Sequence, residues 1–369
     1  MPQKGDLIVI TGGGTGGHIF PALAIADELK SRGCRILYVG GPNSMESRIV
    51  PSRGYDFVPM RSIQVKNKNP LGILLGIFTL GISCLKSATL LLRKRPKAVI
   101  GVGGYVSVPV GVASFITGIP LYLQEQNASV GIANRFLGKF AKRVFLGFEK
   151  AKSYFPKGKS LVSGNPVRKE IAQAPFQPAS WSPPCLFVFG GSQGARAINS
   201  AIVELLPKIY EKCPELKIIH QTGAADYERV RALYPLQYDK VEVVPFIDDM
   251  ASCYQKASLV ISRSGALTIS ELIAARRPAI LVPYPRKGQN DQTANAYLLE
   301  EAGVGKVVEQ GENFEARFWA ALEAAMNPQV HENMVKNYSQ LRAFDALATI
   351  GDHLVGTVAN AKEQPRNVQ

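Results

Sequence analysis

"GGGTGGHIFPALAIADEL", residues 12–29, follows the apolar run Leu7-Ile8-Val9-Ile10. Five glycines and one histidine stand where a buried strand gives way to a helical apolar pattern. Such a strand, turn and helix brings backbone N–H groups and a helix N-terminus close to any phosphate held there. The pattern places the helix over Pro21 to Ser31, closed by Gly33, with His18 at its approach. Gly12, Gly14 and Gly17 match G-x-G-x-x-G, yet a dinucleotide site also needs an acid at the end of the second strand for the ribose. That strand ends in Val39-Gly40-Gly41, and the next acid is Glu46. An NAD-dependent oxidoreductase therefore lacks its discriminating residue, and a turn that only packs helix on strand stays open.

The same layout recurs along the chain. Arg35–Val39, Ala98–Val102 and Leu121–Leu123 read as strands, each followed by glycine or a helical segment. The stretch "GNPVRKEIAQAPFQPASWSPP" (164–184) interrupts the rhythm and reads as a linker between domains 1–163 and 185–344. Leu186–Phe189 then leads into "GGSQGARAINSAIVELLPKI", and Ile218–Gln221, Val241–Val244, Leu259–Ile261 and Ala279–Val282 continue as strands. The fold class is α/β, with two Rossmann-like domains expected to face each other across a cleft, glycine turns at the carboxyl ends of the strands.

Charge is distributed unevenly. Residues 1–170 hold 24 of the 43 Lys and Arg but 8 of the 29 Asp and Glu, so the whole excess of +14 lies in the first half. That half is expected to face something polyanionic. Its basic clusters lack interleaved aromatics, which argues against nucleic acid. The uncharged stretch Leu71 to Leu85 has 15 residues, short of the roughly 20 needed to span a bilayer. With Lys66 and Lys68 before it and Lys86, Arg93, Lys94, Arg95 and Lys97 after it, one face is expected in the core and the other on an anionic membrane. The five cysteines are scattered without metal-binding spacing, which reads as a reduced, cytosolic protein without a signal peptide.

Three turns offer chemistry. The 190–194 turn, with Ser192, suits a diphosphate but is not a P-loop. In "SRSGALTISELIAARRP" (262–278), Glu271 either closes a capping box with Thr268 or binds ribose hydroxyls, and the residues alone leave both readings level. His18 is either a structural hydrogen-bonding group or a neutral imidazole able to take a proton.

The motifs "GGGTGGHIFPALA", "GGYVS", "EQN", "GNPVR", "GGSQGA", "FIDDM", "SGALTISE" and "DQTANA" together resemble the MurG family of membrane-associated N-acetylglucosaminyltransferases over nearly the whole chain. The resemblance implies a GT-B glycosyltransferase fold whose C-terminal helix, about 345–369, returns to the first domain. It implies inverting transfer of GlcNAc from UDP-GlcNAc to the 4-hydroxyl of MurNAc-pentapeptide on undecaprenyl diphosphate, lipid I becoming lipid II, with neither cofactor nor metal. The place would be the cytoplasmic face of the bacterial inner membrane, with cell-wall synthesis proteins as further partners and the work serving cell shape and division.

On the matching positions, the resemblance assigns Thr15, Gly16, Gly17 and Asn127 to the donor sugar and diphosphate. It assigns Arg168 and Ser192 to the diphosphate, the Ile247 backbone to uracil, and Ala266, Leu267, Thr268, Ile269, Ser270 and Glu271 to a helix start with Glu271 on the ribose. Gln292 would contact the GlcNAc hydroxyls. Gly103, Gly104, Tyr105 and Ser107 would border the acceptor, and His18, ahead of Glu125, would take its proton. The chain departs from the family pattern at Gln124 (commonly His), Val108 (commonly Gly) and Arg286 (often His). A UDP-GlcNAc 2-epimerase on the same fold would leave the basic apolar stretch without a role, and a non-catalytic membrane scaffold would not need the donor motifs.

Overall fold

The computed structural model describes residues 5–61, 70–234, 240–285 and 291–355, with the side chains of all but 70–75. The chain divides into two compact units, residues 1–167 with 344–369, and residues 168–343. The division falls inside the proline-rich stretch, whose residues from Arg168 onward go with the second unit.

In chain order the first unit runs β1 (Leu7–Thr11), α1 (Gly16–Ser31), β2 (Arg35–Gly40), α2 (Met45–Ser52), β3 (Asp56–Pro59), α3 (Pro70–Lys94) and β4 (Ala98–Gly101). It continues α4 (Ser107–Ile116), β5 (Leu121–Glu125), α5 (Ile132–Leu137), β6 (Arg143–Leu146) and β7 (Ser160–Val162). The second unit holds α6 (Lys169–Ala172), β8 (Cys185–Phe189), α7 (Arg196–Lys212), β9 (Lys217–Gln221), α8 (Tyr227–Leu233), β10 (Val241–Val244) and α9 (Met250–Lys256). Then come β11 (Leu259–Ser262), α10 (Ala266–Ala275), β12 (Ala279–Leu281), α11 (Asp291–Glu301), β13 (Gly305–Val307), α12 (Phe314–Met326) and α13 (Pro328–Asn337). The last described helix, α14 (Ala346–Val355), belongs to the first unit.

The first sheet is ordered β3-β2-β1-β4-β5-β6-β7 and the second β10-β9-β8-β11-β12-β13, all neighbours parallel. Parallel sheets are covered on both faces, which is why the strands read as unbroken apolar runs. Along β1 the faces alternate. Ile8 and Ile10 meet Ile19, Leu23 and Ile25 of α1, with Ile350 and Leu354 of α14 beyond. Val9 faces the other way, toward a cluster holding Leu91 of α3, Val110 of α4 and Leu137 of α5. Arg32 of α1 clasps α14, reaching Asp352 at 2.6 Å and its own Glu28 at 2.8 Å. In the second unit, Leu186, Val188, Ile218 and Ile261 pack against Ile198, Ile202 and Ile209 of α7 and Phe318 of α12.

α1 begins at Gly16, not at Pro21. The glycines were read as turn and the proline as the first helical residue, a position proline favours. Instead Thr15 caps the helix in extended conformation and the glycines form its first turn, so His18 is held by the helix itself.

A buried network ties the 190–194 turn to the end of β9. A β-carbon on Gly194 would overlap the Thr222 carbonyl, so the two backbones touch there. Asn199 Nδ2 donates to the Thr222 carbonyl at 3.0 Å and to Asp226 Oδ2 at 2.7 Å. Fully buried His220 completes it. Nε2 faces Asn199 Oδ1 at 3.0 Å and therefore carries the proton, while Nδ1 accepts from the Tyr234 hydroxyl at 2.7 Å. Burial pushes the imidazole down to about 3 from an ordinary 6.5. Below 6.5 the unfolded chain takes up a proton that the folded chain resists, so this stability is present above 6.5 and lost as pH falls toward 3. Calorimetry of His220→Gln is expected to show a shallower loss of transition temperature across that window than the unaltered chain. Equal slopes would refute the assignment.

Candidate active site

In the second unit Arg168 stands just before α6, and the other sequence-assigned residues follow β8 (Ser192), β10 (Ile247), β11 (266–271) and β12 (Gln292). Gly265 caps α10, and Ala266, Leu267, Thr268, Ile269, Ser270 and Glu271 are its first six residues. Thr268 therefore lies inside the helix, and the capping-box reading of Thr268 with Glu271 does not hold. Ile269 turns into the core and offers a ligand only its backbone. The Glu271 carboxylate is buried beside the half-exposed Arg168 side chain. Arg168 Nε and Nη2 each lie 3.0 Å from Oε1, and the Tyr254 hydroxyl donates to Oε2 at 3.1 Å. Burial raises this carboxyl above the usual carboxylate range, and the Arg168 charge and the two donors oppose the rise.

Arg168 also borders an open pocket lined by Ile171, Asp248, Asp249 and Met250, next in sequence to half-buried Ile247. Ser192 is exposed in the turn that leads into α7. Gln292, the second residue of α11, stitches two loops. Its carbonyl accepts from Ser264 Oγ at 2.8 Å, and its Oε1 accepts from the Tyr284 amide at 2.9 Å.

In the first unit, Gly16 and Gly17 open α1 and Thr15 is exposed at its cap. His18 Nδ1 lies 3.1 Å from the Gly13 carbonyl. A carbonyl only accepts, so Nδ1 carries the proton and the lone pair is on Nε2. The imidazole edge packs on Gly103, where a β-carbon would come within 3.0 Å of Cδ2 and Nε2. Gly104, with φ +82°, lies so close to Gly13 that a side chain would overlap its carbonyl. Ser107 is buried, its hydroxyl donating to the Gly104 carbonyl at 2.7 Å, and Tyr105 is exposed beside it. Val108 stands in the first turn of α4 and not in the glycine turn, so its side chain meets no backbone demand.

Glu125 is placed differently from a base that meets an acceptor. Its buried carboxylate accepts from the Asn127 amide (3.0 Å), the Asn134 side chain (3.1 Å), the Gly131 amide (3.2 Å) and the Asn127 side chain (3.4 Å). Burial raises this carboxyl, and those four donors hold it back. Gln124 is equally buried and donates to Asn165 Oδ1 at 2.9 Å, while Asn165 donates to the Gln126 carbonyl at 2.9 Å. The departure at 124 thus belongs to a buried amide network. Arg286 lies outside the described residues.

Tyr254 was not singled out by sequence reasoning, because an aromatic in a short helix reads as core. Its ring does pack edge-on against Phe187 and Phe189, and only its hydroxyl betrays a second duty. Arg277, fully buried, holds the Tyr254 carbonyl at 2.5 Å and the Gln177 carbonyl at 2.8 Å. Among the described residues no group of three or more His, Cys, Asp and Glu gathers as for a metal ion.

α3 shows two faces. Ser83, Ser87 and Leu91 are buried, whereas Ile77, Phe78, Leu85 and Leu92 are 58, 65, 71 and 60% exposed. Its window 76–94 is long and apolar enough to cross a membrane by length and composition. The packed face nevertheless belongs to the core of the first unit.

Comparison with known proteins bears on this arrangement. Residues 8–146 match the glycosyltransferase family 28 N-terminal domain, and residues 185–349 its C-terminal domain. A UDP-N-acetylglucosamine–N-acetylmuramyl-(pentapeptide) pyrophosphoryl-undecaprenol N-acetylglucosamine transferase from Myxococcus xanthus is 39% identical, over 83% of this chain and 80% of its own. The crystal structure of Acinetobacter baumannii MurG superposes with a TM-score of 0.78 at 31% identity, over 95% of this chain and 99% of its own. A UDP-GlcNAc 2-epimerase from Neisseria meningitidis shares the fold alone, with a TM-score of 0.59 at 15% identity over 94% of this chain and 99% of its own. The chain belongs to glycosyltransferase family 28, within the MurG family of GT-B enzymes.

Proposed function

We propose that the chain transfers GlcNAc, with inversion, from UDP-GlcNAc to the 4-hydroxyl of MurNAc-pentapeptide on undecaprenyl diphosphate, converting lipid I to lipid II. The observation that carries this reading is the pairing of buried Glu271 with Arg168 beside the pocket at 248–250. One unit thereby presents a carboxylate for vicinal hydroxyls, a guanidinium for a diphosphate and the Ile247 backbone for a base edge. These are the recognitions a nucleoside diphosphate sugar requires.

His18 Nε2 takes the proton of the acceptor 4-hydroxyl as its oxygen bonds to the anomeric carbon. The bond from that carbon to the β-phosphate oxygen breaks, and UDP leaves with the electron pair. Arg168 and the amides of the 190–194 turn meet the charge that develops on UDP. Attack on the face opposite the leaving group inverts the centre. Ser192 and Gln292 hold diphosphate and sugar hydroxyls, and Glu125 shapes the loop carrying Asn127.

The exposed face of α3, with Phe78 and Leu85 beside Lys86 and Arg93, suits an anionic membrane surface. Docking there would bring the chain to a lipid-borne acceptor at the cytoplasmic face of the inner membrane.

With UDP-[labelled]GlcNAc and a short-chain lipid I analogue, label is expected in the lipid fraction only when both substrates are present; no transfer would refute the reading. His18→Ala should lower kcat by about 10²–10⁴ and leave UDP affinity unchanged, and equal loss of both would remove His18 as the base. Tyr254→Phe loses one hydrogen bond to Glu271, on the order of 1 kcal/mol. Donor KM should therefore rise about fivefold with kcat retained, and an unchanged KM would exclude Tyr254 from the donor site. Phe78→Glu with Leu85→Glu should abolish retention on anionic vesicles while turnover of a water-soluble acceptor persists; undiminished retention would place the membrane contact elsewhere.

A further inference from the structure

Glu46 is the first acid after β2, and its side chain has a specific place. It is the second residue of α2 and is 1% exposed. The carboxylate turns inward beneath the first glycine turn. Oε1 accepts from the Gly41 amide at 3.0 Å and Oε2 from the Gly14 amide at 3.2 Å. A side chain on Gly13 would overlap the carboxylate, and one on Gly40 would press on its Cγ, so glycine at both positions answers to Glu46. On the opposite side the Tyr38 hydroxyl donates to the Gly12 carbonyl at 2.9 Å. Gly13, between these two anchors, offers the carbonyl that fixes His18 Nδ1.

We infer that Glu46 is a positioning residue for the transfer: its carboxylate takes up the Gly14 amide and thereby holds the Gly13 carbonyl that keeps the proton on His18 Nδ1. This inference rests on the reading of His18 as the group that takes the acceptor proton. In a nucleotide-binding turn the amides face a ligand phosphate. Here the Gly14 amide is committed to an internal carboxylate from α2, so that amide serves the geometry of the turn. The consequence for catalysis is a defined tautomer. Were the Gly13 carbonyl to drift, the proton would be free to move to Nε2, the atom that must be basic, and the imidazole would be turned off for this reaction.

Glu46→Gln tests the inference with little change of shape. The amide oxygen can serve one backbone N–H, but the amide NH2 then opposes the other. Transfer by this variant is expected to fall in kcat on the order of a hundredfold, with donor KM and UDP affinity unchanged because Glu46 bonds the Gly14 and Gly41 amides and none of the residues assigned to the donor. Nitrogen-15 NMR of the imidazoles, with His18 assigned through His18→Gln, is expected to show the Nδ1–H tautomer in the unaltered chain and a mixed population in Glu46→Gln. Wild-type kcat in Glu46→Gln would overturn the inference. So would an Nε2–H tautomer of His18 in the unaltered chain, a result that decides the matter even if the variant fails to fold. Absence of transfer by the unaltered chain would instead overturn the functional reading, so the two failures are distinct.

Discussion

A carboxylate taken out of water must be repaid by donors, because an unpaired buried charge is costly. Among the described residues three are buried, Glu46, Glu125 and Glu271, and the way each is satisfied determines what it can do. Glu46 takes the Gly41 amide beside it and the Gly14 amide of the first glycine turn, and Glu125 takes backbone and side-chain amides that follow it in the chain. Those donors do not leave, so both carboxylates act as fixed posts around which turns are wound. Glu271 differs. Its partner Arg168 has a side chain 48% exposed, on a flexible stem that can be drawn to a competing anion. Tyr254, fully buried, stays behind. Of the three, Glu271 alone can exchange a protein partner for a ligand without losing its orientation.

The parallel sheets explain why such posts are needed. Every β-strand ends on the same edge of its sheet, and the following chain must turn at once into a helix. The turns therefore crowd one another: Gly104 lies against Gly13 in the first unit, and Gly194 against Thr222 in the second. Backbone contact this close leaves the polar groups of each turn with little access to water, so buried side chains must satisfy them. Asn199 does so for the Thr222 carbonyl, and Glu46 for the Gly14 and Gly41 amides.

The strands were legible because parallel sheets bury both faces and leave continuous apolar runs. β1 and β10 fall where the sequence placed them, and β8 extends one residue further. The sequence reading does not find β3, β6, β7 and β13. β3, β7 and β13 are edge strands with polar residues, β6 is interior, and three- or four-residue segments such as these carry too little periodicity to register. The start of α1 was misjudged because glycine is a poor helix former, and its propensity was outweighed here by the need to fold back over β1. Within the site, residues in dense motifs such as His18, Arg168 and Glu271 were recognisable through resemblance. Glu46 and Tyr254 were not, since nothing in a local pattern tells an exposed acid from one turned inward, or a core tyrosine from one whose hydroxyl is in use.

With the donor seated as proposed, the Arg168–Glu271 pair has an energetic consequence for donor selection. In the absence of a donor each group answers the other's charge, so neither is exposed unpaired while the pocket is open. A ligand that offers hydroxyls without a diphosphate must take Glu271 from Arg168 and leave the guanidinium with water alone. One that offers a diphosphate without a ribose draws Arg168 away and leaves a buried carboxylate with only Tyr254. The second incurs the desolvation cost of the carboxylate it strands, whereas half-exposed Arg168 falls back on water. Only a molecule carrying both halves at the right separation replaces both interactions together. On the proposed reading, discrimination against a diphosphate that lacks its ribose thus arises from an ion pair whose buried carboxylate is costly to strand.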